Sequence, residues 1–176
     1  ETQELIDYML EVAYFECKKS KMVGLAAPQI GLKKQIILVD TRIDLKNIDE
    51  PPYFEVFINP EIIWTSDEKE EYRECCYSTG QLAGVVLRPK AIVIKAYTRE
   101  GKALEQKYEG YTARIFQHEV DHLNGLRFPD RLEDFSKLHW VEKDEMQEYR
   151  ENFENWTKTY SKENWEKFIK LKSQKS

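Results

Sequence analysis

The sequence His118-Glu119-Val120-Asp121-His122 constrains the fold of this chain more than any other stretch. Two histidines four positions apart lie on one side of an α-helix, which has about 3.6 residues per turn. On that side two neutral imidazoles can hold one metal ion, and Glu119 can act as a general base towards the attacking water. Of the 3 histidines in the chain, two are in this stretch. It therefore predicts a helix that carries a metal-dependent hydrolytic centre.

A catalytic metal of this kind needs a third protein ligand. A histidine six residues after His122 would indicate a metzincin, but Phe128 stands there. Glu142 follows His122 at a distance that a thermolysin-like metallopeptidase could use. Cys76, in the sequence Glu74-Cys75-Cys76-Tyr77-Ser78, is another candidate. From the residues alone, Glu142 and Cys76 both stay open as the third ligand.

Three motifs follow one another along the chain, and together they resemble the signature motifs of the peptide deformylases. They are Val23-Gly24-Leu25-Ala26-Ala27-Pro28-Gln29-Ile30-Gly31, Glu74-Cys75-Cys76-Tyr77-Ser78 and Gln117-His118-Glu119-Val120-Asp121-His122-Leu123-Asn124-Gly125. The resemblance extends from the start of the chain to about Leu132. It implies an enzyme that hydrolyses the N-formyl group of N-formylmethionyl peptides or nascent polypeptides.

The resemblance also implies a metal centre and a group that transfers protons. Cys76, His118 and His122 would bind the metal, and Glu119 would be the catalytic acid and base. Formamide hydrolysis needs a hydroxide at neutral pH and a proton for the departing amine, which a metal and a nearby carboxylate can supply. A thiolate ligand suits soft or borderline ions. The resemblance implies Fe(II) as the expected metal, because deformylases resembling this chain usually work with iron, and Zn(II) and Ni(II) are the alternatives.

By the same resemblance, other residues of the first two motifs would contact the substrate. Gln29 and the backbone N–H of Tyr77 would donate hydrogen bonds to the oxyanion, a contribution typically worth about 10²–10³ in rate. Met22, Val23 and Gly24 would line the substrate site. Formylated N-terminal peptides are the expected partners of this site.

The chain departs from the family pattern at four positions around this site. Met22 and Cys75 replace glycine, Tyr77 replaces leucine, and Ala83 stands where known members have an arginine that contacts the substrate backbone. These changes motivate a second hypothesis, a deformylase-like peptide-binding protein with weak or altered activity. The intact Glu119 argues against it, because a binding protein needs no general base.

Outside the motifs, the sequence predicts an α+β fold in which antiparallel strands pack around the central metal-binding helix. This helix is expected from about Tyr111 to Asn124, with Gly125 as its C-terminal stop. A first helix is expected from about Glu4 to Lys19, without the segment that normally precedes it in the family. Its core-facing residues would be Leu5, Met9, Val12 and Phe15 or Glu16. The expected strands are 35–39, 54–58, 62–65, 71–76, 91–97 and 103–108.

Composition restricts the remaining classes of function. A chain of 176 residues with 41% apolar content can form the core of one domain. A net charge of −5 argues against direct DNA binding, and no apolar run approaches the ~20 residues that span a bilayer. Its 3 cysteines make a poor disulfide framework and indicate a reducing compartment. We expect the bacterial cytoplasm, with an organelle as the alternative.

The last part of the chain is expected to be a helical extension, residues 133–176, of a catalytic part formed by residues 1–132. One apolar stripe on a single helix is predicted from Met146, Tyr149, Phe153, Trp156 and Tyr160. Six lysines stand between Lys158 and Lys175, against Glu163 and Glu166. The stripe can pack on the catalytic part, or this basic end can dock on the ribosome, as the C-terminal helix of some deformylases does.

Overall fold

The computed structural model describes residues 1–43 and 50–173. Its helices are α1 (Thr2–Cys17), α2 (Gly110–Leu123), α3 (Met146–Asn152) and α4 (Lys162–Ser173). Its strands are β1 (Gly24–Ala26), β2 (Ile36–Asp40), β3 (Phe54–Thr65), β4 (Lys69–Cys75), β5 (Leu82–Pro89), β6 (Ala91–Tyr97), β7 (Ala103–Glu109) and β8 (Leu138–Trp140). The α+β class with antiparallel strands is confirmed. Among the described residues, no helix has both the length and the apolar character that crossing a membrane requires.

The chain divides into two compact units. Residues 1–69 and 89–126 form the first unit, and residues 70–88 together with the chain from 127 onwards form the second. Each unit has its own antiparallel sheet. The sheet of the first unit has the strand order β1-β2-β3-β6-β7, and that of the second has the order β4-β5-β8.

In the first unit, α2 packs on the five-stranded sheet through its apolar side. Phe116 of α2 meets Phe57 of β3 edge to face, with ring centroids 4.7 Å apart. The helix ends at Leu123, and Gly125 follows with a φ of +74°, a conformation that favours glycine. The predicted helix and its stop signal are therefore confirmed to within one residue.

The other helix of the first unit, α1, is rotated relative to the prediction. Its buried residues are Ile6, Met9 and Ala13, which follow the spacing of three and four that one helix face requires. Phe15 is 55% exposed and contacts the ammonium group of Lys19 instead. The predicted face was correct at Met9, and Val12 packs partly buried against the same core. It was wrong at Phe15, because hydrophobicity alone placed this large ring inside.

The predicted strands 54–58 and 62–65 are one strand, β3. Asn59 has a positive φ of 49°, and the pairing with β6 shifts register across it, between Ile58 and Glu61, and again between Ile62 and Trp64. A β-bulge of this kind lets a strand continue past residues that break its regular pairing. The residues Asn59 and Pro60, which lie between the two predicted strands, are thus part of one irregular strand.

The second unit contains most of the C-terminal extension. The predicted single helix through Tyr160 was wrong, because α3 ends at Asn152 and the chain continues through a short 3₁₀ turn into an extended segment from Trp156. The apolar residues still pack inside the unit. Those that surround Ala83 and Val141 are Met146, Tyr149, Phe153 and Trp156.

The helix α4 is also anchored within the second unit. Trp165 is 2% exposed and packs with Leu82, Phe128 and Leu138, and its indole N–H donates to Asp130 at 2.8 Å. The lysines of this helix lie on its exposed side. Lys175 lies outside the described residues. The apolar side of the extension is therefore a packing surface of the second unit.

His139 is a buried, uncharged histidine in β8. Its Nδ1 lies 3.1 Å from the hydroxyl of Tyr149. Burial lowers the pKa of His139 from its ordinary value of 6.5, and a hydrogen bond that the imidazole donates to the backbone of Ser136 opposes this only in part. Because the unfolded chain takes up the proton first, the folded state loses stability as the pH falls below about 6.5.

We expect this loss to depend on the imidazole of His139. His139→Gln keeps a polar group near Tyr149 but cannot titrate in this range. The melting temperature of the wild type should fall more between pH 8 and pH 5 than that of His139→Gln, as measured by thermal denaturation. Equal pH dependence in both proteins would show that His139 is not a source of acid sensitivity.

Candidate active site

The first part of the site is the pair of histidines on α2. His118 Nε2 and His122 Nε2 lie 3.2 Å apart, with their rings inclined at 76°. Two nitrogens at about 2.0–2.1 Å from one tetrahedral ion would be about 3.3 Å apart. The two imidazoles therefore fit a shared divalent cation, provided that both Nε2 atoms are unprotonated.

Glu119 lies beside this pair in a space that only glycine leaves open. Its side chain is buried, with the residue 4% exposed. A Cβ atom placed on Gly24 of β1 would lie 2.5 Å from Glu119 Oε1 and 2.9 Å from its Cδ. The absence of a side chain at Gly24 is thus what allows the carboxylate to lie against β1. Sequence inspection marked both residues but could not give this reason.

We expect Gly24→Ala to displace the Glu119 carboxylate and lower kcat by about 10²-fold, since displacements near 1 Å can cost this much. Bound metal should be retained, because the three atoms nearest to an added Cβ at residue 24 belong to Glu119 and not to a histidine. Steady-state kinetics and metal analysis check the two parts separately. Gly101→Ala is the control, as Gly101 lies at a turn with a φ of +77° and open space around it. Wild-type kcat in Gly24→Ala would show that Glu119 adapts freely.

Gln29 is held by its own turn. It lies in a short 3₁₀ helix, Ala27–Ile30, which ends at Gly31 with a φ of +80°. Its side-chain Oε1 accepts a hydrogen bond of 2.7 Å from the backbone N–H of Ala26. Since the carbonyl end is fixed by the backbone, the amide nitrogen is the end that can donate to a ligand.

Met22 and Val23 precede β1, and both are held by the first unit. The side chain of Met22 is 7% exposed and packs with Ile6 and Met9. The carbonyl of Val23 accepts a hydrogen bond of 2.9 Å from the backbone of Asp40. Met22 would therefore meet a substrate through its backbone, because its side chain belongs to the core.

In the second unit, Cys76 stands where β4 passes into a short 3₁₀ helix, Tyr77–Thr79. Its carbonyl accepts hydrogen bonds from the backbone N–H of Thr79 at 3.1 Å and from its hydroxyl at 2.9 Å. The Cys76 sulfur lies 3.0 Å from the hydroxyl of Ser78. Tyr77 is 53% exposed. The turn thus fixes Cys76 while the Tyr77 side chain projects outwards.

A buried ion pair supports the strand that leads to this turn. Arg88 donates from Nε and a terminal nitrogen to the two carboxylate oxygens of Glu74, at 2.6 and 2.9 Å. Both side chains are about 95% buried, so removing either would leave an uncompensated charge. Sequence inspection missed this pair. Its signal was Arg88 itself, a charge at the end of the apolar run Leu82–Leu87.

Glu142, the rival third ligand, is occupied within the second unit. It precedes a short 3₁₀ helix, Lys143–Glu145, and does not lie on the α-helix that a thermolysin-like site requires. One carboxylate oxygen accepts from the indole of Trp140 at 2.6 Å, and the other accepts from the amide of Gln81. Using Glu142 as a metal ligand would break both hydrogen bonds.

Comparison with known proteins agrees with this geometry. The polypeptide deformylase family matches residues 1–138. The peptide deformylase of Brachyspira hyodysenteriae is 40% identical over 148 residues, which are 84% of this chain and 75% of that protein. That of Halothermothrix orenii is 42% identical over 131 residues, 74% of this chain and 77% of that protein.

Solved structures give the same result. A probable peptide deformylase from Synechococcus phage S-SSM7 is similar with a TM-score of 0.64 and 38% identity, over 74% of this chain and 83% of that chain. A Met-Ala-Ser-bound class I type b peptide deformylase from Acinetobacter baumannii has a TM-score of 0.64 and 37% identity, over 73% of this chain and 79% of that chain. The chain belongs to the peptide deformylase family.

Proposed function

We propose that this chain is a metal-dependent hydrolase that removes the N-formyl group from N-formylmethionyl peptides or nascent polypeptides. The observation that carries the proposal is the group formed by His118, His122 and Glu119, in which two convergent imidazoles lie beside a buried carboxylate. These groups suit hydrolysis of an amide bond in which the histidines bind a metal and the carboxylate is the general base. The family match supports the assignment to formyl groups.

The ligand set that we propose is Cys76, His118 and His122. Each of these side chains offers one ligand atom, and a thiolate with two imidazoles is a donor set for Fe(II), Zn(II) or Ni(II). When bound, the ion supplies a hydroxide near neutral pH and polarises the formyl carbonyl. Among these ions, Fe(II) is our first choice because deformylases resembling this one usually work with iron.

The remaining steps are assigned to the protein itself. Glu119 accepts a proton from the attacking water and delivers it to the nitrogen of the departing amine. The amide nitrogen of Gln29 and the backbone N–H of Tyr77 donate hydrogen bonds to the oxygen that becomes negative. Neither donor carries a charge. We therefore propose that the two N–H groups stabilise the transition state because they are oriented towards the oxygen that becomes negative.

Substrate peptides would be held by backbone pairing along β1. In the described sheet, β1 stands at one end of the strand order and pairs with β2. A strand at the edge of a sheet can bind an extended peptide through main-chain hydrogen bonds. Met22, Val23 and Gly24 lie at or just before this strand. Backbone recognition of this kind tolerates many sequences after the formyl-methionine, as an enzyme of general N-terminal processing requires.

The test is metal analysis of anaerobically purified protein combined with a deformylation assay on formyl-Met peptides. We expect about one divalent ion per chain and turnover that is lost on chelation and restored by Fe(II). Stoichiometric metal and tight peptide binding without turnover would instead support the deformylase-like binding protein. Cleavage of internal peptide bonds in unformylated peptides would instead support the thermolysin-like metallopeptidase.

We further propose that the basic end of the chain docks on the ribosome. The helix α4 packs in the second unit through Trp165, and its exposed side carries lysines. Exposed lysines bind phosphate backbones through an electrostatic, salt-dependent contribution. The division into a catalytic part, 1–132, and a helical extension, 133–176, remains a prediction.

Replacing Lys167, Lys170 and Lys172 by glutamine should weaken co-sedimentation with ribosomes, most at low salt, and leave turnover of short free peptides unchanged. These side chains are exposed, so folding should be preserved. The control replaces Lys18, Lys33 and Lys34, which are also exposed but belong to the first unit. Equal losses in both triple variants would point to non-specific attraction.

A further inference from the structure

The hydroxyl of Ser78 is placed to act on the sulfur of Cys76. The two atoms lie 3.0 Å apart, and both residues are half-buried in the turn that follows β4. Among the described residues, the side-chain hydrogen bond of Ser78 is the one to this sulfur. The contact was not predicted from the sequence, because a cysteine and a serine two positions apart meet only in particular turn geometries.

The direction of this hydrogen bond follows from the state of the sulfur. A cysteine that binds a metal does so as a thiolate, which has no hydrogen to donate. The hydrogen must then come from Ser78, with the sulfur as acceptor. Such a bond fixes the orientation of the sulfur, as outer-shell partners of metal ligands do. Because the hydroxyl is the donor, the bond also withdraws electron density from the sulfur.

The turn holds the two side chains in this relation without help from a ligand. Thr79 is 2% exposed, and both its N–H and its hydroxyl donate to the Cys76 carbonyl. Cys76 itself has extended backbone angles, φ −150° and ψ 141°, and Ser78 follows inside the 3₁₀ helix. The sulfur and the hydroxyl are therefore preorganised by the backbone.

We propose that Ser78 is a positioning residue that tunes the Cys76 thiolate through this hydrogen bond. The inference rests on the proposed function, in which Cys76 is a metal ligand. With the bond in place, the sulfur is a weaker electron donor and has less freedom to rotate. Removing it should make the sulfur more electron-rich and also free it to rotate. Because the lost orientation should outweigh the stronger donation, bound metal should be released faster, by the roughly 10- to 100-fold that loss of outer-shell partners typically costs.

The experiment loads the full-length protein with Co(II) and records the near-ultraviolet charge-transfer band from thiolate to cobalt. Ser78→Ala should shift this band to lower energy, because the sulfur electrons are no longer stabilised by the hydrogen bond. Ser78→Thr keeps the hydroxyl and should restore both the band position and the rate of Co(II) release to a chelator. Ser136→Ala is the matched control, since Ser136 lies in another short 3₁₀ turn of the second unit and bonds to the carboxylate of Asp134.

The outcomes separate this inference from the proposed function. A thiolate band that is present in the wild type and identical in Ser78→Ala would overturn the role of Ser78 and leave the ligand set intact. Absence of the band in the wild type would overturn Cys76 as a ligand, and the role of Ser78 with it. A shift in Ser78→Ala that Ser78→Thr reverses and Ser136→Ala lacks is the expected result.

Discussion

Glu119→Gln should retain its metal and lose about 10²–10⁴-fold in kcat, the range that a positioned general acid or base contributes. The amide has nearly the shape of the carboxylate, so it fits the space beside Gly24 in which Glu119 is 4% exposed. It cannot accept a proton from the attacking water. The loss should therefore appear in kcat, while metal content and KM for formyl-Met peptides change little.

Glu109→Gln is the control for this variant. Glu109 directly precedes the same helix and is exposed, where it pairs with Lys107, so its substitution tests the effect of one lost charge near α2. A kcat of Glu119→Gln within a few-fold of the wild type, at full metal content, would exclude Glu119 as the proton carrier.

Cys76→Ala should lose the metal itself. Loss of outer-shell partners alone costs about 10- to 100-fold in affinity, and loss of a direct ligand should exceed this. Metal content after dialysis against a weak chelator is the measurement, and turnover should fall in proportion. Refolding is not expected to fail, because Cys76 is only half-buried in the turn.

Two further variants give this prediction its contrast. Cys75→Ala removes the adjacent cysteine, which is exposed, and should keep the metal. Glu142→Ala should also keep it and instead destabilise the second unit, because Trp140 and Gln81 lose their acceptor. Metal loss in Glu142→Ala together with retention in Cys76→Ala would favour the thermolysin-like arrangement.

Elements with a strong local signal were predictable from the sequence. Buried and less buried residues alternate along the strand Ala91–Tyr97, and its predicted bounds are confirmed. The helix α2 was predictable from its motif and from Gly125. The strands β1 and β8 have 3 residues each, too few for any periodicity. The apolar stripe after Met146 had helical spacing, yet α3 ends at Asn152, and Phe153 and Trp156 pack around Ala83 and Val141 from beyond the helix.

The site divides in the same way. The pair of histidines and the proposed general base follow from residue identity and spacing, because one helical turn brings them together, whereas the third ligand stayed open between Cys76 and Glu142. The reason for Gly24 and the ion pair of Glu74 with Arg88 depend on where separate segments meet, and the contact of Ser78 with Cys76 depends on the geometry of one turn. Such contacts have no sequence period, and only the folded chain brings them into view.

The division of the second unit between two stretches of sequence affects the order in which the protein can mature during synthesis. The unit that carries His118 and His122 contains no residue beyond 126. The unit that carries Cys76 takes the rest of its core from residues 127 onwards. Trp165, close to the end of the described chain, is part of that core. A chain still being translated can therefore form its histidine helix long before the thiol-bearing turn is supported. Competence to retain metal should therefore appear only after the residues that support the turn of Cys76, up to Trp165, have been translated.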